Sequence, residues 1–110
     1  MSTFDDVRRI ALELPESEEV LTWGTDVTFR VRGKIFAIGA DGADGVSIKA
    51  TLESQEDLLA LDPATFSKAA YVGRYGWVNA RLDRLDEALL RRLLEDAWRQ
   101  TAPKRLVAKR

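Results

Sequence analysis

The chain contains no histidine and no cysteine. Without histidine there is no Ser-His-Asp or Cys-His catalytic unit, no imidazole-based zinc site and no ordinary general base near neutral pH. Without cysteine there are no disulfides and no thiolate metal ligands, so packing alone must hold the fold. An enzyme built here would rely on carboxylates, lysine, tyrosine or hydroxyls. The expectation is therefore that the chain is not an enzyme and uses no cofactor and no metal. Long apolar runs are missing too. Nothing approaches the ~20 residues of a membrane span, and the opening MSTFDD lacks a signal peptide's basic segment. The expected setting is the cytoplasm, with no membrane partner.

What is present describes one globular domain over residues 1–110. Hydrophobic residues make up 45% and charged residues 32%, a balance that excludes intrinsic disorder. A chain of this size buries roughly two-thirds of the surface it exposes when unfolded. The net charge is only −1, but it is unevenly spread. Residues 1–29 hold seven acidic and two basic side chains, residues 30–62 six and four, and residues 63–110 five and eleven. An acidic front and a basic back make a dipolar molecule able to orient a polyanion. Solvated helix faces that simply fell this way are the alternative.

The patterning predicts α-β-β-β-α-β-β-α, a two-layer α+β sandwich with helices on one face of a mostly antiparallel sheet. A first helix starts at Ser2 or Thr3, buries Phe4, Val7, Ile10, Ala11 and Leu14, and stops at Pro15. ESEEVLTWGTD crosses to the sheet, with Trp23 expected to pack. VTFRVRGKIFAIGA, Val27 to Ala40, reads as a hairpin with Gly33-Lys34 as a type II′ turn. That register puts Phe29, Val31, Phe36 and Ile38 on the core face, and Thr28, Arg30, Arg32, Ile35 and Ala37 outside. GADGADG is a hairpin loop: a phosphate cradle needs a helix after it, and a calcium loop needs more oxygen ligands than Asp41 and Asp44. A third strand spans Val46–Ala50, and a short helix capped by Ser54 ends at Asp62-Pro63. Two further strands run about Lys68–Val72 and Trp77–Leu82. The last helix, capped by Asp86, buries Leu89, Leu90, Leu93, Leu94, Ala97 and Trp98 before Pro103 and a basic tail.

Strand parity then places Arg30, Arg32, Lys49, Asn79 and Arg81 around Trp77 on the exposed sheet face, with Lys34, Arg74 and Tyr75 at two hairpin tips. Cations along a groove with interleaved aromatics neutralise phosphates and stack on bases. DNA, bound weakly or without sequence specificity, is the expected partner. A protein-interaction module docking an acidic protein or peptide on the same face is the alternative. A wet antiparallel face also needs polar residues for solubility, with Trp77 packed over arginine stems.

Several stretches taken together carry a family resemblance: TW followed by FRVRGKIFA, VSIKA leading into the second helix, GRYGWVNARLD, and LLRRLLEDAWRQTAPKRL. Through them the chain resembles the MmcQ/YjbR family of small bacterial proteins over nearly its whole length. The resemblance implies a two-layer fold similar to secretion-chaperone-like proteins, often described as a double-wing DNA-binding arrangement. It also implies that Lys49 closes a family strand and that Trp77 is the tryptophan of the last strand.

Overall fold

Thr3 begins the first helix, α1 (Phe4–Glu13), with a reciprocal cap. Its hydroxyl accepts from the Asp6 N–H, and the Asp6 carboxylate accepts from the Thr3 N–H at 2.9 Å. The computed structural model describes residues 1–22 and 24–109; the packing expectation for Trp23 lies outside them. Six strands follow the order β1-β2-β3-β4-β6-β5, every neighbouring pair antiparallel. They are β1 (Ser17–Thr22), β2 (Asp26–Val31), β3 (Lys34–Gly39), β4 (Gly45–Ile48), β5 (Phe66–Lys68) and β6 (Val78–Arg81). Helix α2 (Leu52–Leu61) lies between β4 and β5, while α3 (Glu87–Thr101) and the short α4 (Lys104–Ala108) close the chain. Among the described residues no helix is long and apolar enough to cross a membrane.

The α+β class and the antiparallel sheet match the sequence expectation, with two elements added. β1 lies in the stretch expected to be a crossing loop, and α4 in the expected tail. The helix α2 is capped by Thr51, whose side chain accepts from the Ser54 N–H, and not by Ser54. Helices cover one sheet face. Phe4, Val7, Ile10 and Ala11 of α1 and Leu90, Leu94, Ala97 and Trp98 of α3 pack there, against Phe29, Val31, Val46, Ile48, Val78 and Ala80. Full burial of a side chain of this size contributes about 1.5–3 kcal/mol, so this shared stripe outweighs any surface pair.

The hairpin turn lies one residue earlier than expected, which shifts the pairing beside it by two residues and beyond the bulge by one. Val31 pairs with Lys34 and Phe29 with Ala37, so the two turn residues are Arg32 and Gly33. Both have positive φ, 51° and 80°, the backbone that a type I′ turn requires. This turn follows the strand twist, and the Arg32 guanidinium pairs with Glu16. A bulge absorbs the shift: pairing skips Phe36, which stays buried. Ala37 thereby moves inward, and Ile38 moves to the outer face.

Three carboxyls sit below their ordinary values: Asp6 through the Thr3 N–H, Glu16 through the Arg32 guanidinium and Asp62 through the Thr65 hydroxyl. A carboxyl depressed on folding stabilises the native state fully above the unfolded value, and that stabilisation disappears as pH falls through the folded value. The melting temperature should stay level down to about pH 5 and then fall. Carrying Glu16→Gln and Asp6→Asn together should make that fall shallower; a double variant as acid-sensitive as the parent would contradict the assignment.

Candidate nucleic-acid interface

The antiparallel strands sort charge by sheet end. At one end lie the start of β1, the β2–β3 turn, the ends of β4 and β5 and the start of β6, as the pairings Ser17 with Val31, Val31 with Lys34, Ile48 with Val78 and Lys68 with Val78 show. The end of α3 reaches the same place, since Arg32, Lys34, Arg99 and Lys104 line one hollow. Lys34, Lys49, Lys68, Arg74 and Lys104 all belong to this end. None has an acidic partner among the described residues. From Lys34 on β3 to Lys68 on β5 is three strand spacings, so these cations span about 14 Å.

The opposite end gathers acid. It holds the start of α1 with Asp5, the β3–β4 loop with Asp41 and Asp44, and Asp83, parts of which line a second hollow. Arginines here are neutralised. Arg8 bonds to Glu19 at 2.7 Å and to Asp41 at 2.8 Å, and Arg81 to Asp83 at 2.9 Å. Arg84 lies 3.8 Å from Asp62. Five cations without an ion pair among the described residues thus cluster at the turn end, although the chain as a whole is almost neutral.

The loop from Ala69 to Trp77 gives that end its shape. Gln55, buried in α2, donates through Nε2 to the Gly73 carbonyl at 2.6 Å and the Trp77 carbonyl at 2.8 Å. Gly76 has φ +106°, and its backbone lies so close to the start of α2 that no side chain fits. A 3₁₀ turn, Gly73–Tyr75, fills the span. Two tyrosines project from the loop: Tyr71 is 96% exposed, with φ +63°, and Tyr75 is 61% exposed. A bulky residue holds the left-handed region only where its surroundings demand it. The Arg74 guanidinium sits 4.9 Å from the centre of the Tyr75 ring, within cation–π range.

The sequence-predicted residues divide between these places. Arg32, Lys34, Lys49, Arg74 and Tyr75 come together at the basic end. Arg30 lies one step inside it on the outer face, half-buried, donating to the Thr28 hydroxyl at 3.0 Å and the Thr22 hydroxyl at 3.3 Å. Asn79 is mid-sheet, opposite Ser47 and Ser67. Arg81 stands at the far end, held by Asp83. Trp77 is the main correction: it is 8% exposed and does not form the aromatic centre of the wet face. β6 begins at Val78, so the alternation extrapolated back to Trp77 starts one residue before the pleat does. Lys68, Tyr71 and Lys104 were missed. The YVGRYG stretch carried the signal for Tyr71, since two glycines three residues apart just after it mark a turn and not a strand.

Comparison with known proteins agrees with this architecture. The YjbR family model matches residues 12–100. The structure is similar to that of the Deinococcus radiodurans protein DR2400, whose domain is DUF419, with a TM-score of 0.80 and 26% sequence identity. The match covers 89% of this chain and 77% of that one. No curated protein matches the sequence.

Proposed function

The chain belongs to the YjbR family, and we propose that it binds nucleic acid, DNA in particular, through the basic end of its sheet. Lys34, Lys49, Lys68 and Arg74 contact phosphates, and Tyr71 and Tyr75 supply ring faces on which a base or sugar stacks. The observation that carries this reading is the clustering of Lys34, Lys49, Lys68, Arg74 and Lys104 at one sheet end, beside two exposed tyrosines on a pinned loop. Phosphates recur about every 3.4 Å along a strand, so cations spread over about 14 Å can engage several at once. The acidic pole faces away and orients the approach. None of these contacts reads a base edge, so the binding is weak in sequence preference.

Titration of labelled duplex and single-stranded DNA, followed by fluorescence anisotropy, tests it. Four phosphate contacts give a loss of affinity on the order of a hundredfold between about 50 and 200 mM salt. Lys49→Glu and Arg74→Glu together should lower affinity at least about tenfold. Arg81→Glu, at the far pole, should leave it unchanged. No binding at low salt, binding indifferent to salt, or equal damage from Arg81→Glu would overturn the reading.

A further inference from the structure

The helical layer has a gap. α3 packs on α1 and β3, whereas α2 leans on β5. Between α2 and α3 a cleft of about 280 Å³ opens over β4 and β6. Its floor is Ile48, Ala50 and Val78, all buried, and its walls are the half-buried Leu58, Leu89 and Leu93. The size is close to the lower bound of about 300 Å³ for small-molecule sites, and an apolar lining with a few polar groups is their usual make-up.

The rim carries charge of both signs. Asp57 stands one residue before Leu58 on α2; Arg92 and Asp96 share the Leu89–Leu93 stripe of α3. None of the three has a hydrogen-bond or ion-pair partner among the described residues. Arg92 and Asp96 are spaced i,i+4 but in the weaker order, with the cation N-terminal to the acid, and they do not close on each other. Elsewhere on α3 the same spacing does close, from Glu95 to Arg99 at 3.1 Å.

We propose that this cleft binds a small zwitterion with an apolar side chain, of the size and charge pattern of a free hydrophobic amino acid. The side chain enters between Leu58 and Leu93, Arg92 takes the carboxylate, and Asp57 and Asp96 take the ammonium. A rim on which Lys49 and Arg92 balance Asp57 and Asp96 is neutral overall, and it complements neither a simple acid nor a simple amine as well as a molecule carrying both charges. Lys49 borders both this cleft and the proposed DNA-binding end, but Asp57, Arg92 and Asp96 take no part in the latter, so either proposal can fail without the other.

The test is an amide NMR titration of the full chain with L-phenylalanine, 3-phenylpropionate and 2-phenylethylamine. L-phenylalanine should give saturable shifts confined to residues 54–58 and 89–96 and the facing strands. Each comparator, lacking one charge, should bind at least about tenfold more weakly. Arg92→Ala should weaken L-phenylalanine about tenfold and leave 2-phenylethylamine unchanged; Asp57→Asn with Asp96→Asn should do the reverse for the two comparators. All three side chains are exposed, so these variants keep the fold. Absence of saturable shifts at millimolar ligand, shifts centred elsewhere, or comparators that bind as tightly as the amino acid would overturn it.

Discussion

Replacing Gly76 by alanine is expected to lower the free energy of unfolding by about 3–4 kcal/mol. Two costs add. At φ +106° an L side chain is strained wherever it points, and the new Cβ would lie 2.5 Å from the Ala50 carbonyl oxygen and 2.7 Å from the Thr51 carbonyl carbon. Those are backbone atoms at the entry to α2, so no rotamer change relieves the clash. Gly42 makes the internal control: its φ is +76°, but nothing lies within 4 Å of the Cβ position. Alanine there should cost only about 1 kcal/mol, the conformational part alone. Urea denaturation of both variants separates the terms. A Gly76→Ala protein no less stable than Gly42→Ala would mean that the loop and α2 are not packed as described.

Trp98→Ala should cost about 3–5 kcal/mol. Trp98 is fully buried in α3, and its indole N–H donates to the Pro15 carbonyl at 3.0 Å. It therefore ties the last long helix to the segment that ends α1. Truncation removes a large packed ring and leaves both a cavity and a carbonyl without its donor. Trp98→Phe keeps most of the ring volume but not the donor, and should cost about 1–3 kcal/mol. Equilibrium unfolding of the pair reads the cavity and the hydrogen bond separately. A loss below about 1 kcal/mol for Trp98→Ala would contradict the core assignment.

Both effects are larger than anything expected from the charged surface. Arg8, Arg9 and Arg91 each join two helices, strands or loops through carboxylates, yet those groups are solvent-exposed to differing degrees. Exposed pairs of that kind contribute at most about 1 kcal/mol each. Their value here is to cancel positive charge away from the basic pole. That cancellation leaves the lysines at the turn end as the electrostatic feature a polyanion would meet.

Much of the fold was legible from local pattern. The stripes of α1 and α3, the Thr3 and Asp86 caps and the stops at Pro15 and Pro103 need only helical periodicity and the chemistry of unsatisfied backbone ends. β1 was harder because SEEVLT is an edge strand with exposed glutamates, so it shows little of the alternation a covered strand carries. The hairpin register was ambiguous for a different reason. RG and GK both offer a two-residue turn, and the assembled sheet takes the first, with Arg32 paired to Glu16.

The candidate site was legible as a composition and not as a place. Arg32, Lys34, Lys49, Arg74 and Tyr75 could be named from sequence, but they were assigned to a face, whereas they meet at an end. Parity along one strand tells which side of a pleat a residue occupies. It cannot tell which strand ends are neighbours, and it lapses where the strand stops, as at Trp77.

From the chain alone came the helical layer, the antiparallel sheet and the absence of imidazole and thiol chemistry, because periodicity, capping and side-chain inventory are local properties. The charge polarity that matters belongs to the tertiary structure. The sequence runs from an acidic front to a basic back, yet the basic pole draws Lys34 and Lys49 from the middle of the chain to join Lys68, Arg74 and Lys104. Antiparallel strands reverse direction at every turn, so residues far apart in sequence share an end, and only the assembled sheet decides which charges stand together and which are cancelled.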